Sequence, residues 1–167
     1  MMNNVLPDVL QPDMKVVFCG TAAGNLSAAL SAYYAKPGNK FWEVLYRIGL
    51  TPHRIEPQNF RDLAQYGIGL TDLAKHTAGM DHTLKAEDFN RELFIQNITS
   101  FAPQVIAFTS KKTGQVFYAS KKISFGRQPT LIGKSTVFVL PSTSGAANKT
   151  WNIAYWQEVA DFIKSHQ

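Results

Sequence analysis

Three stretches of the chain are apolar almost without interruption: Lys15-Val16-Val17-Phe18-Cys19, Val105-Ile106-Ala107-Phe108 and Thr136-Val137-Phe138-Val139-Leu140. None shows the polar alternation of a half-solvated strand, so each reads as a strand buried on both faces. Between them the apolar period changes to that of a helix. Phe41, Trp42, Leu45 and Ile48 share one face, with Asn39 placed to cap and Gly49 where a C′ glycine belongs. Glu87 to Ser100 repeats Phe89, Leu93, Phe94 and Ile98 near a period of 3.6, and a final helix from about Lys149 to Ser165 carries Tyr155, Trp156, Val159, Phe162 and Ile163. Shorter helices are expected at Asn59 to Tyr66 and Lys112 to Ala119. Asn25 to Tyr34 is mostly Ala, Ser and Leu before the break at Pro37-Gly38. Ile68-Gly69-Leu70-Thr71-Asp72 is a short segment leading to a polar loop through Met80-Asp81-His82, and residues 1–12, with two prolines, read as a flexible tail. Buried strands alternating with helices predict one α/β domain over 1–167, a mainly parallel sheet covered by helices on both faces. Ligands of such sheets bind beyond the carboxyl ends of the strands, at Gly20 to Gly24, Thr109 to Lys112 and Pro141 to Gly145.

Composition narrows the class. With 167 residues, 45% hydrophobic, and 11 Phe, 6 Tyr and 3 Trp, the chain has enough apolar surface to offset ordering entropy, which excludes disorder. Cys19 is the one cysteine, so an intrachain disulfide, a cysteine-based zinc site and a four-cysteine iron–sulfur cluster are excluded. His53, His76, His82 and His166 lack ligand spacing, and no cofactor or metal is expected. No window approaches the roughly 18 apolar residues of a membrane span. Together with the lone cysteine this fits a monomer in a reducing cytoplasm.

The net charge of +5 is unevenly distributed. Residues 1–90 hold 8 cations and 9 anions, whereas residues 91–167 hold 9 cations and 3 anions. No acidic side chain lies between Glu92 and Glu158, a stretch that contains Lys111, Lys112, Lys121, Lys122, Arg127, Lys134 and Lys149. Gathered on one face they would attract phosphate; scattered, they are solvated loop lysines.

Gly20-Thr21-Ala22-Ala23-Gly24 lets backbone amides approach a ligand closely, yet lacks the Gly-Lys-Ser/Thr ending of a nucleotide-triphosphate loop and the third glycine of a dinucleotide fingerprint. Pro141-Ser142-Thr143-Ser144-Gly145-Ala146-Ala147-Asn148-Lys149 offers hydroxyls, amides and a cation ahead of a helix, a combination suited to phosphate or to an ordinary Ser-rich cap.

In order and separation these pieces resemble the mismatch-specific uracil/thymine DNA glycosylase family. Its Gly-Ile-Asn-Pro-Gly signature corresponds to Gly20-Thr21-Ala22-Ala23-Gly24, and its Leu-Pro-Asn-Pro-Ser-Gly signature to Leu140-Pro141-Ser142-Thr143-Ser144-Gly145. Between them, Tyr34-Ala35-Lys36-Pro37-Gly38-Asn39-Lys40-Phe41-Trp42 matches a Phe-Ala-x-Pro-x-Asn-x-Phe-Trp stretch, and Gly69-Leu70-Thr71-Asp72 a Gly-Val-Thr-Lys segment. The resemblance runs from about Leu10 to Phe162. It implies a monofunctional enzyme that flips uracil out of a duplex and cleaves its N-glycosidic bond, with no cofactor. Under it Tyr34 stacks on the flipped base, Ser27 bonds the base or orders the loop, and Gly20, Thr21, Ala22 and Ser142 line the pocket. Lys111, Lys112, Ser144, Gly145, Ala146, Asn148 and Lys149 would face double-stranded DNA containing uracil or a mismatch.

The departures carry the mechanism. The family's water-positioning Asn is replaced by Ala22, whose methyl can orient nothing. Asp72 stands where the family has Lys beside the pocket, and a carboxylate there can orient and deprotonate water and stabilise an oxocarbenium-like sugar. Its competing role is to cap the turn at Leu73-Ala74. Asn25 is the second candidate for holding water and Thr21 the third. Ala146 replaces a wedging Leu, which implies weaker reading of the opposite base, and Asn148 replaces an Arg, a contact that Lys149 can supply. Two other classes stay open: a damage-binding module without catalysis, and an α/β enzyme acting on a free nucleobase or nucleoside.

Overall fold

The structure, a computed structural model, describes residues 5–74 and 89–167. Its centre is a five-stranded sheet in the order β2-β1-β3-β5-β4, formed by β1 (Val16–Gly20), β2 (Ile68–Asp72), β3 (Val105–Phe108), β4 (Gly126–Arg127) and β5 (Thr136–Val139). β1 pairs in parallel with β2 and β3, and β3 with β5; only the short edge strand β4 is antiparallel. The three long apolar runs are the three central strands, and every residue of β1, β3 and β5 is buried. This is the expected single α/β domain.

Helices cover both faces. Phe18 of β1 stacks on Trp156 of α5 (Ile153–Ser165) at 5.4 Å and meets Phe41 of α2 (Phe41–Arg47) edge-on at 5.4 Å. On the opposite face Phe108 of β3 packs with Phe94 of α3 (Arg91–Phe101) and Phe117 of α4 (Lys111–Tyr118). Each such buried ring contributes roughly 2–3 kcal/mol through apolar area removed from water. Both buried indoles spend their N–H on backbone carbonyls, Trp156 on Pro141 at 2.9 Å and Trp42 on Tyr33 at 3.2 Å.

The sequence expectations differ from the structure mainly at element ends. α1 covers only Asn25–Leu30, because Ser31 turns left-handed (φ 51°) and ends the helix before the tyrosines. Pro57–Tyr66 is a 3-10 helix closed by Gly67, and α3 begins at Arg91, capped by the Asn90 side chain. A separate 3-10 turn, Gly145–Thr150, precedes α5, which Asn152 caps. Ile68 to Asp72 is a full strand, and β4 had no sequence signal. The stretch read as a tail is packed from Leu6 to Val9: both are buried, and Val9 bridges Leu70 along the outer edge of β2. The polar loop around Met80-Asp81-His82, with His76, Glu87 and Asp88, lies outside the described residues. No helix among the described residues is long and apolar enough to cross a membrane.

Candidate active site

The order β2-β1-β3 makes the chain leave β1 and β3 in opposite lateral directions, and such a switch point opens a crevice at the carboxyl ends of those strands. Gly20 ends β1, Asp72 ends β2 as its parallel register partner, and Thr109 follows β3. Their side-chain oxygens meet on one spot. A Cβ added to Gly20 would lie 2.8 Å from Asp72 Oδ1, 3.5 Å from Tyr34 Oη and 3.7 Å from Thr109 Oγ1. Gly20 is therefore a glycine by close approach: the carboxylate rests against its bare Cα.

Asp72 is 7% exposed. The two amides that follow it are bonded elsewhere, Leu73 N to Gly20 O at 2.9 Å and Ala74 N to Thr21 O at 2.7 Å. The turn that Asp72 was a candidate to cap is thus tied down by carbonyls of the first loop, leaving no structural need for a carboxylate on these amides. Burial pushes the Tyr33 hydroxyl far above its ordinary range, and the carboxylates of Asp72 and Asp8 push it the same way. Tyr33 consequently stays a neutral donor and bonds Pro7 O at 3.0 Å.

Tyr34 is half-buried and left-handed at φ 50°, a conformation a bulky residue adopts only when its surroundings enforce it. Here the enforcement is visible. Its ring stacks on Phe41 at 4.0 Å, its hydroxyl bonds Thr109 Oγ1 at 3.0 Å, and the next amide, Ala35 N, donates to the buried Ser27 Oγ at 3.0 Å. Ser27 therefore orders the loop that presents Tyr34. Thr21 turns its hydroxyl onto Thr113 Oγ1 at 2.9 Å, which in turn meets Ser110 Oγ at 2.7 Å, so Thr21 fastens the loop to α4. Ala22 is half-buried, and Asn25 occupies an exposed position at the first turn of α1, in contrast to the buried oxygens of Asp72 and Thr109.

The second loop reaches the same end of the sheet from β5. Ser142 Oγ accepts from Ser144 N at 3.1 Å, and Ser144 Oγ caps the 3-10 turn by accepting from Ala146 N at 3.3 Å. Ser144, Gly145 and Ala146 face Lys36, Pro37 and Asn39 across a shallow cleft of about 150 Å³. Lys40 clamps the two loops together: its amide donates to Thr143 O at 2.9 Å, its ammonium to Asn148 Oδ1 at 2.6 Å, and the same ammonium lies 5.1 Å from the centre of the Trp151 ring. Lys149 is exposed beside Asn148, and Lys111, exposed, and Lys112, half-buried, open α4 at the carboxyl end of β3. Lys134 sits in the Ile132–Ser135 turn before β5, at the far end, so the positive excess is not gathered on one face. Among the described residues no group of three or more His, Cys, Asp or Glu is arranged to hold a metal.

The sequence reading placed Thr109 in a candidate ligand segment, directly after a buried parallel strand, without giving its side chain a role, and Lys40 escaped it as a site residue. Lys40 had no local signal, because its partner Asn148 is 108 positions away.

Comparisons with known proteins give the fold and the family. A solution structure of a proposed uracil DNA glycosylase from Methanosarcina acetivorans is similar in fold, with a TM-score of 0.69 at 21% sequence identity, covering 98% of this chain and 99% of that one. The family model of the uracil DNA glycosylase superfamily matches residues 7–161. With nearly its whole length matched and its polar side chains converging at the carboxyl ends of β1, β2 and β3, the chain belongs to the uracil DNA glycosylase superfamily.

Proposed function

We propose that this chain is a monofunctional glycosylase of the mismatch-specific kind, which flips uracil from G·U pairs in duplex DNA and hydrolyses its N-glycosidic bond with Asp72 in place of the missing Asn. The observation that carries the reading is the placement of Asp72: a buried carboxylate against Gly20, at the strand ends, with the next two amides, of Leu73 and Ala74, bonded to carbonyls of the first loop. Departure of the base gives the sugar oxocarbenium character and leaves negative charge on the base. A carboxylate beside the sugar stabilises that cation, orients a water toward C1′ and takes its proton as the new C–O bond forms, while the uracil anion leaves with the bonding electron pair. The Tyr34 ring supplies a face for the flipped base. The cleft between Lys36, Pro37 and Asn39 on one side and Ser144, Gly145 and Ala146 on the other, with the Lys36 cation in its lining, is suited to the phosphates on either side. No cofactor takes part, and the protein acts as a monomer.

Ala22 favours a second reading, a damage-binding module that keeps the DNA face and has lost hydrolysis. One assay separates the two. A U·G duplex incubated with the protein and then treated with alkali should break at the uracil, and Asp72→Ala should lower the single-turnover rate about 10²- to 10⁴-fold. Salt-dependent duplex binding without any abasic product would select the binding module, and an undiminished rate in Asp72→Ala would remove Asp72 from the mechanism.

A further inference from the structure

Lys40 stands at the N-terminus of α2, yet its side chain is held by the second loop. Its ammonium donates to Asn148 Oδ1 at 2.6 Å and lies 5.1 Å from the centre of the Trp151 ring, while its amide donates to Thr143 O at 2.9 Å. Both groups that hold the ammonium are neutral, so they fix the charge in place without cancelling it. Glu43, the nearest acid in sequence, is exposed in the first turn of α2, and no acidic side chain occurs from Met14 to Trp42 or from Leu93 to Gln157. Lys40 is half-buried, and partial burial of an ammonium carries a desolvation cost that an arriving anion offsets.

The two loops that Lys40 joins are those that form the shallow cleft of Lys36, Asn39 and Gly145, and their backbones abut where a Cβ on Gly145 would lie 3.5 Å from Gly38 O. In the other direction Lys40 leads into Phe41, whose amide donates to Asn39 Oδ1 at 3.0 Å and whose ring stacks on Tyr34 at 4.0 Å. One lysine thus ties the second loop to the support of the Tyr34 ring. A surface lysine loses rotamer freedom when it grips a phosphate; here Asn148 and Trp151 have already removed that freedom. We propose that Lys40 is a ligand for a backbone phosphate of the strand that carries the flipped nucleotide, held ready by Asn148 and Trp151. The inference rests on duplex DNA being the substrate and deepens that reading: the phosphate is gripped by the residue adjacent to the base platform.

The test measures affinity for a U·G duplex against salt concentration, with a 2′-fluoro group on the uridine that disfavours the oxocarbenium state and prevents cleavage. Lys40→Met should lower affinity about 3- to 10-fold and reduce the slope of log affinity against log salt by about 0.9, whereas Lys40→Arg should keep both. Lys134→Met, at the opposite end of the sheet, should change neither. Asn148→Asp separates a phosphate ligand from a mere clamp. Its carboxylate keeps the contact with Lys40, and so the melting temperature, but cancels the charge, so affinity and slope should fall as in Lys40→Met. Asn148→Ala should cost affinity in the wild type and nothing in the Lys40→Met background, because the anchor acts through the lysine. Replacing single phosphates beside the uridine with neutral methylphosphonates should reveal one position that weakens the wild type and leaves Lys40→Met unaffected. Melting curves accompany each variant, and Asn148→Asp carries the test if Lys40→Met fails to fold. A wild-type slope in Lys40→Met or in Asn148→Asp, the lack of any such phosphate, or a wild type without salt-dependent duplex binding would overturn the proposal. An unmodified U·G duplex left intact by the wild type would overturn hydrolysis and not this contact, since slopes and phosphate scan are read without cleavage.

Discussion

The two loops at the carboxyl end of the sheet are built in opposite ways. Around Gly20 the polar atoms belong to residues far apart in sequence, on β1, β2, the Tyr34 loop and β3, and Asp72 and Thr109 are buried at 7% and 5% exposure. Around Ser144 most of the bonds are local, Ser142 to Ser144 and Ser144 to Ala146, and Gly145, Ala146, Asn148 and Lys149 are exposed. On the proposed reading, the difference teaches a division of labour. A buried set held by long-range contacts is preorganised, as catalysis of bond cleavage requires, whereas an exposed self-capped turn is suited to gripping a phosphate backbone and adjusting to it.

That contrast can be broken by substitution, the first loop through rate and the second through salt dependence. Asp72→Ala carries the largest expected loss. Next is Gly20→Ala, whose new methyl would come within 2.8 Å of Asp72 Oδ1 and displace it; a rate at least about 10²-fold lower is expected, with a folding cost of about 1–3 kcal/mol measurable by denaturant titration. Ser27→Ala removes the acceptor for Ala35 N and should cost about 1–2 kcal/mol of stability while loosening Tyr34, read as a smaller drop in the single-turnover rate. On the second loop, Lys149→Ala should weaken binding to every duplex alike and reduce the slope of log affinity against log salt by about 1, with the rate on bound DNA unchanged. The smallest effect concerns pH. Tyr33 titrates near 10.0 when unfolded and higher when folded, so above that value the unfolded chain binds fewer protons and stability falls as pH rises. Tyr33→Phe should fall less steeply in melting temperature above pH 10.0 than the wild type.

How far the sequence spoke depended on the kind of signal. β1, β3 and β5 were legible because strands buried on both faces must be apolar at every position. β2 was obscured by Gly69 and Asp72, and both have tertiary reasons: a Cβ at Gly69 would come within 2.5 Å of Val9 O, and Asp72 is seated on Gly20. The packed segment from Leu6 to Val9 was missed for the same cause, since two prolines announce a tail unless the edge strand they cross is known. α1 ended early because its stop is a left-handed Ser31 rather than a glycine or proline.

The sequence by itself determined the α/β class, the three central strands and the two motif loops, because burial and helical period are written locally in residue type. It also singled out Asp72 against Ala22, though only as a choice between catalysis and a cap. The tertiary structure added what bears on that choice, since parallel register sets Asp72 on Gly20 and the amides of Leu73 and Ala74 are bonded to the first loop. It alone gave Thr109 and Lys40 their partners, which lie 75 and 108 positions away; no local pattern encodes a contact that exists only once the sheet has formed.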